Sequence, residues 1–161
     1  MVIQRFSPLA SSTVPSWQPR FVAGVTAALL VTFVLGGPAW LLVPLLPDFA
    51  ARALDRRSWS WLGRAGTLLV PRLLPARAAR SRSYWPPKRF AARLGLGLLS
   101  AILGANAASA HDLALGLAGA MAALSALEAA FGFCVACKLY SAFGRRGWVD
   151  ACPDGQCTVP R

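Results

Sequence analysis

A chain of 161 residues that is 56% hydrophobic and only 14% charged, with a mean hydropathy of +0.50, lies outside the soluble range, where about a quarter of residues are charged. Its length is that of one domain, enough for a small helical bundle and too short to add a separate soluble catalytic domain. The net charge of +11 does not indicate nucleic acid, because the 17 Lys and Arg are scattered along the flanks of apolar stretches and no recognition module accompanies them.

In chain order, residues 1–20 form a basic N-terminal arm. The first apolar stretch, 21–37, is free of charge and has about the 17 residues needed to cross a hydrocarbon core. The GGPAW that follows it is no small-x-small cleavage site, so the segment is expected to stay rather than leave as a signal peptide. The second stretch, 39–54, is interrupted by Pro44, Pro47 and Asp48. A third helix is expected over 90–110 and a fourth over 112–134, with residues 94–110 and 113–133 charge-free apart from Glu128.

Charge placement decides how the second stretch is read. No Lys or Arg falls between Phe21 and Ala51 or between Leu94 and Cys137. Were 39–54 merely re-entrant, the central segment 52–93 with its eleven bases would lie opposite the basic N-terminal arm, against the positive-inside rule. The sequence therefore predicts an all-α integral membrane four-helix bundle over 21–143, with a cytoplasmic interfacial segment between helices 2 and 3. Residues 144–161 form a cysteine-containing tail, and both termini are cytoplasmic, in a multi-pass protein of the inner (plasma) membrane. Anionic lipid of the cytoplasmic leaflet is the expected partner of the bases, at about 1 kcal/mol for each one near the surface.

Within the central segment, Trp59, Trp61, Leu62, Leu68 and Leu69 alternate with Arg64, Arg72 and Arg77, a mixture suited to a helix in the headgroup layer that Pro71 and Pro75 keep short. A solvated basic loop is the alternative. RFVAGVTAALL from Arg20 and RFAARLGLGLL from Arg89 match weakly at an offset of 69, as two parallel hairpin repeats would. An arginine and an aromatic before a membrane helix also serve as an ordinary interfacial anchor. For packing, the sequence offers Ser100, Gly104 and Ala108 on the third helix and Gly116, Ala120, Ala123 and Ala130 on the fourth, small residues that let backbones approach. His111 and Asp112 fall in the outer turn, where Asp112 is expected to N-cap the fourth helix and His111 could titrate.

Glu128 is an ionisable group inside an apolar helix, a functional hypothesis by default and a candidate proton group. The simpler reading is a pairing with an arginine near the helix end. On a regular helix it points about 120° away from Cys134, so exchange with a thiol requires a bend, for which Gly132 is the available residue.

The four cysteines follow residue 133. Cys134 and Cys137 are three apart, which on a helix brings their Cβ atoms to about 5 to 6 Å on one face. Cys152 and Cys157 bracket Pro-Asp-Gly-Gln, a type I turn sequence that returns the chain and lets the sulfurs meet. In a cytoplasmic setting structural disulfides are rare, so exchange chemistry or metal binding gains weight.

The run Phe131-Gly132-Phe133-Cys134-x-x-Cys137-x-x-Tyr140, the Arg-Phe openings and the four-helix layout resemble a bacterial integral-membrane family known as domain of unknown function 4395, over roughly residues 18 to 143. The resemblance implies an uncharacterised membrane protein concerned with thiol or sulfur chemistry, with a thioredoxin-like or sulfurtransferase protein as partner. Two readings of the cysteines stay open. In the first, Cys134 and Cys137 cycle between dithiol and disulfide or carry sulfur, with Cys152 and Cys157 as the exchange pair and no cofactor. In the second, the same four residues hold a structural zinc in a non-catalytic scaffold, since C-x2-C and C-x4-C fourteen residues apart is near zinc-site spacing. Packing as small apolar side chains is the bland alternative.

Overall fold

A computed structural model describes residues 13–15, 17–69, 82–145 and 158–159. Six α-helices carry the fold: α1 (Trp17–Val34), α2 (Leu45–Ala53), α3 (Trp61–Leu69), α4 (Trp85–Ala107), α5 (His111–Phe131) and α6 (Val135–Arg145). Three short strands, β1 (Thr13–Pro15), β2 (Arg82–Tyr84) and β3 (Thr158–Val159), pair antiparallel in the order β1-β2-β3, with Thr13 opposite Tyr84 and Ser83 opposite Thr158. Nothing in the alternation of apolar residues announces so small a sheet.

Three helices, Trp17–Val34, Lys88–Ala107 and His111–Phe131, are long and apolar enough to cross a membrane. The second apolar stretch is not. Pro44 has no N–H for the carbonyl of Trp40, and Pro47 none for that of Val43. Tighter bonds serve those carbonyls instead, Val43 N–H to Trp40 O and Leu46 N–H to Val43 O, both 3.1 Å, so a 3-10 turn over Ala39–Leu42 precedes the nine residues of α2.

This broken segment nevertheless carries the chain back along the bundle. Arg20, at the start of α1, donates through Nε to Ala129 O at 3.1 Å and through Nη2 to Ala130 O, at the end of α5. Lys88, at the start of α4, meets Glu128 near the same end of α5. Arg89 donates to Ala53 O, the last residue of α2, at 3.0 Å. The first turns of α1 and α4 and the last turns of α2 and α5 therefore share one end of the molecule. Cationic side chains at helix C-termini satisfy the open carbonyls and oppose the negative end of the dipole.

The two halves are built alike. α1 packs along α5 and α2 along α4, so each half lends a helix to the other. After the second helix of each half comes a short one that folds back on the first: α3 brings Gly66 against Phe21, and α6 brings Tyr140 to 5.6 Å from the Phe90 ring. Phe21 and Phe90 are the aromatics of the two Arg-Phe openings.

The core lies between α1, α2, α4 and α5, where Leu30, Leu42, Leu45, Leu99 and Ile102 are fully buried. On α5 the inward residues are Ala114, Ala118, Met121 and Ala122. The packing expected of Ser100, Gly104 and Ala108, and of Gly116, Ala120, Ala123 and Ala130, is therefore corrected: all seven face outward, and a Cβ on Gly104 or Gly116 would touch nothing. Close approach occurs elsewhere, where Gly24 of α1 faces Ala129 and Gly95 of α4 lies under the Phe49 ring. Asp112 does not N-cap α5 either. The N-cap is Ala110, without a side-chain bond, and Asp112 sits in the first turn, where its charge complements the dipole.

Asp48 is an unexpected keystone. It is fully buried, accepts hydrogen bonds from Ser60 Oγ at 2.7 Å and Leu62 N–H at 3.0 Å, and pairs with Arg52. Ser60 is itself the N-cap of α3, taking the Gly63 N–H at 3.1 Å. One carboxylate thus fastens α3 to α2, and Trp59, Trp61, Leu68 and Leu69 remain exposed around it. The stretch with Pro71, Pro75, Arg72 and Arg77 lies outside the described residues.

Candidate functional site

α5 ends at Phe131 because Gly132 turns left-handed, with φ +68°, and its N–H closes on Glu128 O at 2.9 Å. Glycine adopts that conformation without the Cβ penalty other residues incur. Two residues later a new helix begins, so the Cys-x-x-Cys pair does not end the long helix, as its position in 112–134 suggested, but opens a short amphipathic one.

Cys134 is the N-cap of α6. Its carbonyl accepts the Lys138 N–H at 3.1 Å, the first bond of the helix, and its Sγ accepts the N–H of Cys137 at 3.3 Å. A sulfur here replaces the hydroxyl that serines place at N-caps, at the positive end of the helix dipole. Ser60 and Gly63 make the same arrangement at the start of α3, so the two halves place Ser-x-x-Gly and Cys-x-x-Cys at matching points.

Both cysteines are buried thiols, 9% and 6% exposed. Hydrogen bonding from the Cys137 thiol holds Cys134 below the usual thiol range, helped by the Lys88 charge and the Cys137 N–H and opposed by burial and Glu128. Cys137 is pushed well up, first because its proton serves that hydrogen bond and then by burial. The pair is thus asymmetric, Cys134 giving up its proton more readily than Cys137.

Beside Cys134 a cavity of about 210 Å³ opens between α1, α2, α4, α5 and α6, lined by apolar side chains together with Lys88, Glu128, Arg52, Thr26 and Ser125. Lys88 Nζ lies 2.7 Å from Glu128 Oε1. Glu128 therefore pairs with a lysine rather than an arginine. The bend at Gly132 brings its element and Cys134 to one cavity, which the regular-helix angle had kept apart. His111 lies at the opposite end of α5.

Cys152 and Cys157 lie outside the described residues. Among those described, no three metal-ligating side chains gather, and a four-cysteine site would need both missing members. Lys88, Arg20 and Asp48 are the site-shaping residues that sequence reasoning passed over. Lys88 had a signal, as a lone lysine directly before an Arg-Phe opening and forty residues from Glu128, the acid near the end of α5.

Residues 14–145 match the family described as domain of unknown function (DUF4395). The chain belongs to the DUF4395 family. No curated protein and no solved structure matches this DUF4395 chain. The matched region contains all six helices and the Cys134–Cys137 pair, and it stops at the last residue of α6.

Proposed function

We propose that this is a membrane thiol–disulfide or sulfur-handling protein in which Cys134 attacks and Cys137 resolves. The observation that carries the reading is the capping geometry: Cys134 Sγ takes the Cys137 N–H at a helix N-terminus, on a cavity that Lys88 also lines. Cys134 thiolate attacks one sulfur of a partner disulfide, the other partner sulfur leaves and takes a proton, and a mixed disulfide forms. Cys137 then gives up its proton and attacks Cys134, forming the intramolecular disulfide and releasing the second partner thiol. The steps run in reverse when the protein oxidises its partner. Cys152 and Cys157 are the exchange pair in the tail, and a thioredoxin-like or sulfurtransferase protein is the soluble partner.

In this reading the broken second segment completes a four-segment bundle in the inner membrane, and both termini and the central segment are cytoplasmic. The charge map supports it, as does the gathering of Arg20, Lys88 and Arg89 at one end.

The test is a trap. Full-length protein carrying Cys137→Ser, incubated with a thioredoxin-fold disulfide, accumulates a mixed disulfide on Cys134 that non-reducing electrophoresis and mass spectrometry detect. Cys134→Ser accumulates none. Stoichiometric zinc on the purified reduced protein, with thiols that never pair under mild oxidant, would overturn the reading in favour of a non-catalytic metal scaffold.

A further inference from the structure

The cavity next to Cys134 is a built site. Thr26, in the middle of α1, is 1% exposed and lines it, and among the described residues Thr26 Oγ1 has no hydrogen-bond partner. A helical threonine can turn its hydroxyl back on the carbonyl four residues earlier, as Thr32 does to Ala28 O at 2.9 Å. Thr26 does not, and a buried hydroxyl without a partner is a liability that natural interiors avoid. Lys88 stands at the polar mouth, where Glu128 takes one of three ammonium protons. Between these groups Phe49, Leu98, Met121 and Leu124 make the walls mainly apolar, with Ser125 and Arg52 the other polar residues of the lining.

The occupant must match that pattern: a flat apolar body with polar oxygens placed apart, one meeting Thr26 and the other the Lys88 end. Size agrees, since a dry apolar cavity of about 150 Å³ holds benzene, so 210 Å³ takes one substituted six-membered ring. Position narrows the class further. The cavity runs from the lysine at the start of α4 to Leu98, ten residues along, or about 15 Å into the apolar part of the helix. A water-soluble oxidant is unsuited to such a place, and a lipid-soluble one is suited to it.

Resting on the dithiol reading of Cys134 and Cys137, we propose that this cavity binds the head of a quinone, with Thr26 and Lys88 donating to its two carbonyl oxygens, and that the dithiol reduces it. Two S–H bonds break and one S–S bond forms, the two sulfurs together losing two electrons. The ring gains those two electrons, two O–H bonds form, and the two thiol protons balance them, giving one disulfide and one hydroquinone. Lys88 and Glu128 are positioning residues that hold a carbonyl oxygen near Cys134 and stand where a proton must pass.

The experiment uses reduced full-length protein in nanodiscs, without oxygen, and decylubiquinone as probe. Loss of quinone absorbance is followed beside thiol counts, and one hydroquinone should appear for each Cys134–Cys137 disulfide. Thr26→Val should raise the KM for decylubiquinone about three- to tenfold, the loss of one hydrogen bond, while Thr26→Ser restores it. Diamide, which needs no site, should oxidise all these variants at one rate. Ala23, one turn before Thr26 on α1, also lines the cavity, and Ala23→Phe, which fills it, should abolish quinone reduction while leaving diamide oxidation intact. If diamide forms the disulfide and decylubiquinone does not, or reacts equally in the Thr26→Val and Ala23→Phe proteins, the quinone site is overturned and the dithiol reading stands. If neither oxidant pairs Cys134 with Cys137, the dithiol reading itself fails.

Discussion

The difference between Cys134 and Cys137 is set first by the hydrogen bond between them, which lowers the one and raises the other, while burial and Glu128 raise both and Lys88 lowers both. The Cys137 hydrogen bond and Lys88 favour a thiolate on Cys134, and Glu128 opposes it. Removing the lysine charge takes away one favourable influence, so in Lys88→Met the pKa of Cys134 rises. At neutral pH the thiolate fraction then falls and iodoacetamide alkylates Cys134 more slowly. At a pH where both proteins are fully ionised the two rates converge. A profile of alkylation rate against pH that moves upward checks this, and one that stays in place would remove Lys88 from the site. The Asp48–Arg52 pair is a second test at this scale. Asp48→Ala strands a largely buried guanidinium, and breaking such a pair costs about 3 to 5 kcal/mol. Thermal unfolding in detergent should show that loss, with much of it recovered in Asp48→Ala/Arg52→Met. The sequence displays Asp48 only as an interruption of an apolar run. Arg52 is one helical turn away, but Ser60 and Leu62 are twelve and fourteen residues on, at the start of α3, and no periodicity links them to Asp48.

At the scale of elements, existence was legible and facing was not. The apolar runs that became α1, α4 and α5 stand out in composition, and the prolines that break the second stretch are visible in it. Which side of a membrane helix turns inward is another matter. Lipid-facing and core-facing residues are both apolar, so the contrast that orients a helix in a soluble protein is missing. Small residues at Ser100, Gly104 and Ala108 have the right spacing on the wrong face. Glycines at real contacts carry sharper consequences. A Cβ on Gly95 would overlap the Phe49 ring where α4 meets α2, and Gly95→Ala is expected to cost about 1 to 3 kcal/mol by overpacking, read as a lowered Tm. Gly132→Ala forces a Cβ into a left-handed turn, at about 1 kcal/mol, and disturbs the angle at which α6 leaves α5. Its distinctive readout is chemical, because Cys134 loses its cap and reacts more slowly with iodoacetamide at neutral pH than a stability loss alone would produce. The bend at Gly132 was legible as a possibility, and with it a second helix that opens at the cysteines; its length was not, because its polar and apolar residues continue the composition of the tail.

For the whole molecule, parity is the constraint. Three long helices alone would cross an odd number of times, yet the starts of α1 and α4 and the end of α5 meet at one end through Arg20 and Lys88. Only a return by the segment Ala39–Ala53 reconciles these facts, and the bond from Arg89 to Ala53 O is the mark of that return. Two exposed leucines separate the possibilities. Leu35 lies just past the far end of α1, and Leu69 ends α3 beside its near end. In a background with the native cysteines replaced, Leu35→Cys in intact cells should react with a membrane-impermeant maleimide, and Leu69→Cys should react only after permeabilisation. Labelling of both from outside would mean that the broken segment does not cross. Labelling of Leu69→Cys alone would place α3, α6 and the cavity mouth outside, where the dithiol would meet an oxidising compartment. The charge map argues for the first outcome, because all eleven bases of the central segment then share a side with the N-terminal arm.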